Sequence, residues 1–100
     1  MSGEASQSMV PRRSKVDEFV ADGECLLYSP ARDAAIVLNR SSTEIWELCD
    51  GSRSIRSIAR MLGERYGVDE ELLLDDILAA VSMFREHGLV EVADAALPRT

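Results

Sequence analysis

Near Leu38 the spacing of apolar residues in this chain changes. Before that point they come in short runs, "VDEFVA", "ECLLYS" and "AAIVLN"; after it they recur every three or four residues. A period of two sends alternate side chains to opposite faces of a strand, whereas a period near 3.6 gathers them on one side of a helix. One such change predicts strands followed by helices around a shared core, the order of an α+β domain. The early runs are broken by "DG" and "SPARDA", the punctuation of a meander of three short antiparallel strands with Asp22-Gly23 as a tight turn. In the third run Ala34, Ile36 and Leu38 point one way and Ala35, Val37 and Asn39 the other. Both sets are largely apolar, so this strand is either covered on both sides or keeps an edge for a partner.

The second half divides into three helices. Ser41 with Glu44 three residues on fits a capping box, Ile45, Leu48 and Cys49 form an inward stripe, and Gly51 closes the turn. Trp46, the sole tryptophan, is expected to anchor sheet to helices. Ser54 caps a second helix with Ile55, Ile58, Ala59 and Leu62 on one face, while Arg53, Arg56 and Arg60 make an opposite, solvated basic face. The third helix is expected from Asp69 to about His87, with Asp69, Glu70 and Glu71 in the first turn where the helix dipole favours anions, and Gly88 as its stop. Leu73, Ile77, Ala80, Val81 and Phe84 give it a core face. A second line, Leu72, Ala79 and Met83 with Asp76 beside it, lies off that face and suits either burial or a binding groove. "GLVEV" reads as a short terminal strand or wing. The whole is a winged-helix-like α+β domain: three short antiparallel strands, three helices and a short terminal extended segment.

With 100 residues there is room for one core. The expected domain spans residues 14–92, with 1–13 and 93–100 as disordered tails. Eighteen acidic against eleven basic side chains leave a net charge of -7, which repels phosphate backbones. A DNA-reading last helix would also carry Asp69, Glu70, Glu71, Asp75 and Asp76 toward phosphates. The opening "MSGEASQSMVPRRSK" lacks the apolar stretch of a signal peptide, and nothing is long enough to span a bilayer, so a cytoplasmic protein is expected. Cys25 and Cys49 belong to no metal or redox spacing and His87 is the sole histidine, so no catalytic constellation, metal or cofactor is anticipated.

The stretch "AIVLNRSSTEIWELCDGSRSIRSIARMLGERYGVDEELLLDDILAAVSMFREHGLVEV" is more specific. Its Leu38-Asn39, Ile45-Trp46, Cys49-Asp50-Gly51, Ser54-Ile55, Ile58-Ala59, Asp76-Ile77 and Gly88-Leu89-Val90 together resemble the PqqD family, the small proteins of pyrroloquinoline quinone biosynthesis and related recognition elements for ribosomally made, modified peptides. The resemblance runs from about Asp22 to Val92. It implies a non-catalytic protein that binds the leader of a precursor peptide and presents it to a modifying enzyme, often a radical S-adenosylmethionine enzyme. It also implies that the leader is held as an added strand beside the third strand, with the third helix as the other wall. On this chain those walls are the backbone of Ala34, Ala35, Ile36, Val37 and Leu38, and the side chains of Leu72, Ala79 and Met83. Asp76 matches the family's aspartate and reads as an anchor for a peptide amide or basic side chain, or as a solvated carboxylate. A winged-helix DNA binder and a purely dimerising domain are the alternatives; the oligomeric state stays open.

Overall fold

A computed structural model of the protein describes residues 7–94. The expected meander is present as β2 (Asp17–Ala21), β3 (Glu24–Ser29) and β4 (Ala34–Leu38), antiparallel in the order β2-β3-β4. Asp22 and Gly23 both have positive φ, 55° and 80°, as a two-residue hairpin turn matched to strand twist requires. Cys25, Leu27 and Ser29 of the central strand are buried, as is Leu38 of β4, so one face of β3 and the end of β4 cover the core, while β2 is exposed throughout.

Three helices follow, α1 (Arg40–Glu47), α2 (Ile55–Tyr66) and α3 (Glu70–Glu86). Ser54 caps α2 by accepting a 3.1 Å hydrogen bond from Ser57 N, and Asp69 caps α3 by accepting from Glu71 N at 3.0 Å. At α1 the cap is Asn39 rather than Ser41. Asn39 is the first residue past β4, still extended (φ -73°, ψ 179°), and its Oδ1 accepts from Ser42 N at 2.9 Å; Ser41 is already inside the first turn. The core face of α3 is Leu74, Ile77, Val81 and Phe84, with Leu73 and Ala80 half-buried at its margin. These side chains meet the α2 face of Ile55, Ile58, Ala59 and Leu62 in one cluster.

The terminal segments depart from expectation. Met9–Arg13, read from sequence as part of a disordered tail, forms β1, and the last strand, β5 (Val90–Asp94), runs two residues beyond the expected domain end. The two pair antiparallel from Met9↔Asp94 to Arg13↔Val90, as a ribbon separate from the three-stranded sheet. On its other side β1 is held by the α1–α2 connection: Gly51 N donates to Pro11 O and Arg13 N to Cys49 O, both at 2.9 Å. That pairing supplies the backbone partners a proline-containing edge strand needs. Residues 1–6 and 95–100 of the expected tails lie outside the described residues.

Trp46 is 2% exposed. Its Nε1 donates to Leu89 O at 3.4 Å, and the Arg13 guanidinium carbon lies 5.4 Å from its ring centroid. The same guanidinium donates to the Glu47 carbonyl at the end of α1, where the helix leaves an acceptor unfilled. Among the described residues no helix is long and apolar enough to cross a membrane.

Arg13→Ala should therefore lower unfolding free energy by about 1–2 kcal/mol, through a lost cation–π contact and a lost charged hydrogen bond. Arg12→Ala, whose ion pair with Glu91 is exposed on both sides, should cost about 0.5 kcal/mol or less. Urea unfolding of both variants checks this; equal losses would contradict the role given to Arg13.

Candidate functional site

Among the described residues the sheet ends at β4, whose backbone is bonded to β3 on one side only. Across from it stands α3, which packs chiefly on α2 and more lightly on α1 and β5. Among the described residues, two depressions lie near the two ends of this strand. One of about 60 Å³ is at the start of β4, lined by Arg32, Ala34, Ala35, Ile36, His87 and Leu89. The other, of about 430 Å³, begins just past the end of the strand and is lined by Arg40, Ser41, Glu44, Ile45, Leu62, Tyr66, Leu73, Asp76 and Ile77. Its floor is aliphatic and its rim charged, a combination suited to side chains with some polar anchoring.

The edges of these depressions are fixed by specific contacts. At the small one, Arg32 Nη1 donates to Glu86 O at 2.8 Å and so ties the β3–β4 turn to the end of α3. Its side chain lies over Gly88, where a Cβ would come 2.6 Å from Nε, and Gly88 also has φ +71°. A larger residue there would displace the Arg32 guanidinium and strain the left-handed backbone. His87 Nδ1 is 2.9 Å from Met83 O. At the large depression the Tyr66 hydroxyl donates to Glu44 Oε1, with Arg65 3.9 Å from the other oxygen, joining α1 to α2. That hydrogen bond to Glu44 raises the pKa of the Tyr66 phenol, so it stays a donor.

The sequence-predicted residues take three kinds of position. Ala34, Ala35 and Ile36 line the small depression and Asp76 the large one. Leu38 is buried, leaving only its backbone available, and Val37 is exposed on the outer face of the sheet. Leu72 is 72% exposed, Ala79 is exposed, and Met83 is half-buried against the core cluster; these three line neither depression. Sequence reasoning passed over Arg32, Arg40, Glu44, Tyr66 and His87. Arg32, Arg40, Tyr66 and His87 share a position at element ends, whereas Glu44 sits mid-helix in α1 and joins the site through tertiary packing. Leu73 was assigned to the core; it is half-buried because it borders the large depression.

The arginines of α2 do not form a free basic face. Arg56 Nη1 lies 2.7 Å from carboxylate oxygens of both Glu70 and Glu71, and Arg60 Nε 3.5 Å from Glu70. Arg53, just before α2, pairs with Asp50 at 2.6 Å. The acidic first turn of α3 thus neutralises the basic row of α2, and a Cβ at Gly63 would stand only 2.7 Å from Val68 O, so these helix ends approach closely. The pairing weakens the attraction of this helix face for phosphates.

Both thiols are free and buried. Burial is the first cause raising the Cys25 pKa, and it pushes Cys49 up to about 12, which keeps a nucleophilic thiolate out of reach at neutral pH. Among the described residues no group of three His, Cys, Asp or Glu side chains is placed to hold a metal ion.

These features define an α+β domain in which a sheet edge stands open beside a long helix. Residues 24–90 match the family of coenzyme PQQ synthesis protein D (PqqD), and the chain belongs to that family. A PqqA binding protein of Bradyrhizobium diazoefficiens is 24% identical over 90 residues, covering 90% of this chain and 85% of the relative. One of Rhodopseudomonas palustris (strain BisB5) is 26% identical over 95 residues, covering 95% and 91%. Two solved structures share the fold. TbiB1, in complex with the TbiA(β) leader peptide, superposes with a TM-score of 0.71 at 20% identity, over 80% of this chain and 94% of that one. The PqqD truncation of Methylobacterium extorquens PqqCD, described as a stand-alone recognition element for ribosomally synthesised and modified peptides, gives 0.68 at 24% identity over 82% and 88%.

The α2–α3 ion pairs carry a pH signature. The hydrogen bond from Arg56 is the first cause lowering the Glu70 pKa below its ordinary 4.5. A carboxylate with a depressed folded-state pKa stabilises the fold above the unfolded value and loses that contribution as pH falls through the folded one. Between about pH 5 and about pH 3, the wild type should therefore lose more stability than Glu70→Gln, as measured by thermal unfolding across the range. Parallel curves would contradict the assignment.

Proposed function

We propose that this protein captures the leader of a ribosomally synthesised precursor peptide as an extra strand on the edge of β4 and presents it to a peptide-modifying enzyme. The observation that carries this reading is the unpaired edge of Ala34–Leu38 flanked by depressions that run on to α3, in a chain of the PqqD family. Unpaired strand N–H and C=O groups are a template for an incoming extended segment, and neighbouring pockets supply the sequence selectivity that main-chain pairing lacks. The names of the relatives, PqqA binding proteins, support a peptide ligand.

Within this reading Ala34, Ala35, Ile36, Val37 and Leu38 give main-chain hydrogen bonds. Asp76 anchors a peptide amide or basic side chain in the large depression, and Leu72, Ala79 and Met83 receive apolar side chains along α3. The chain does no chemistry of its own and needs no cofactor; the enzyme it serves, a radical S-adenosylmethionine enzyme among the candidates, carries out the modification. Both meet the precursor in the cytoplasm, where ribosomes release it. The closed ion pairs of α2 and α3 weigh against a DNA-binding role.

A leader peptide should bind with a Kd of about 1 μM, a value suited to a short segment that must be ordered on binding. Titrating labelled protein with leaders of precursor peptides encoded beside its gene should move the amides of Ala34–Leu38 and of the Leu72–Met83 face. Shifts confined to Ile55–Tyr66 would sink the assignment. Leu72→Glu should weaken binding about tenfold, roughly 1.4 kcal/mol, with an unchanged melting temperature because Leu72 is already exposed. Met83→Glu should lower both, since Met83 also packs on the core.

A further inference from the structure

The face of the β2–β3–β4 sheet turned away from the helices carries an unusual row. Phe19, Leu26 and Val37 stand directly opposite one another across the three strands, and they are 61%, 37% and 62% exposed. Scattered apolar residues on a surface are ordinary, but a row spanning a whole sheet is a contiguous patch of the kind that marks an interface. Its surroundings are uneven. Asp17 and Glu24, which share this face by strand alternation, lie on β2 and β3, whereas the outward residues of β4, Ala35 and Val37, are uncharged. The patch is therefore acidic toward β2 and apolar along Ala35 and Val37 of β4, with the Asp33 carboxylate, bonded to the Tyr28 hydroxyl, at the turn before that strand.

The geometry points to a leader that is read on both faces: its outward side chain beside Val37 is apolar and continues the Phe19–Leu26–Val37 row. This inference rests on the strand-addition reading given above. Residues of an added strand alternate like those of β4, so neighbours of Ile36 turn toward α3 and the neighbour of Val37 turns outward. Val37 has a cross-strand partner, Leu26, on one side only, and the added strand supplies the missing one. The sequence class selected is a leader with apolar residues at consecutive positions, in place of the alternating pattern that a one-sided groove would choose. A second copy of the chain is a poorer occupant, because stacking this face on itself would oppose the carboxylates of the Asp17–Glu24 hairpin.

The test is selection of a displayed library of random 12-residue peptides on the whole protein and on Val37→Thr, which keeps the branched shape and the exposed position. Peptides enriched on the wild type should carry an apolar residue between two cleft-facing ones, and this middle preference should fade on Val37→Thr. The enriched peptides should bind that variant about two- to fivefold more weakly, the range expected for one cross-strand pair, with melting temperature unchanged. Leu26→Thr, one strand further in, should give the same selective loss by a smaller factor. Indifference at the middle position, with enrichment and β4 amide shifts intact, would overturn the two-faced reading and leave strand addition standing. Absence of any enriched peptide that shifts β4 amides would overturn both. A peptide-free dimer abolished by Val37→Thr would overturn the inference by giving the row to a second copy.

Discussion

Trp46 lies under the Arg13 guanidinium with its indole nitrogen turned to the Leu89 carbonyl, so one side chain of α1 meets the close of β1 and the residue just before β5. A tryptophan buries more area than any other side chain, and a domain of this size has few such anchors to spend. Around it β1 is stitched to the α1–α2 connection through Pro11, Arg13, Cys49 and Gly51, and β5 is drawn onto the end of α3. The position of α3, and with it the far wall of the candidate cleft, depends on this junction.

The cleft itself is held open at its two ends by different chemistry. Arg32 ties the turn before β4 to the last carbonyls of α3, while Tyr66 and Arg65 meet Glu44 where α1 and α2 converge. Neither set fills the edge of β4. Elsewhere the charges close on themselves: the arginines of α2 and the glutamates opening α3 form a compact network. The net charge of -7 includes the carboxylates of the β2–β3 hairpin, while strand β4 itself carries no charged side chain.

How much of this was legible in the sequence depended on the range of the interaction. Ser54, Asp69 and Gly88 announce helix ends through hydrogen bonds and backbone angles that involve only near neighbours, and the three runs before Leu38 announce strands by alternation. Asn39 was displaced by Ser41 as the expected cap because both are good capping residues two positions apart, and only the end of β4 decides between them. β1 was invisible: "MVPRR" holds a proline and two arginines, and its partners lie far along the chain, about eighty residues away in β5 and about forty away at Gly51. The candidate site was half legible. Its strand wall follows from an apolar run with two apolar faces, but Arg32, Glu44 and Tyr66 belong to it through tertiary packing that no local period encodes.

The β1–β5 ribbon places Met9 opposite Asp94, in a sheet that shares no strand with β2, β3 and β4. The described segment therefore begins and ends a few ångströms apart, the spacing of neighbouring strands. A domain threaded in this way is a cassette: it can be spliced into a loop of another protein, or have its own ends joined and new ones opened elsewhere, with little stretching of its host or itself. The same ribbon makes the cassette sensitive to trimming, because cutting at Ser14, where the sequence first looks ordered, removes the strand that holds Trp46 in place.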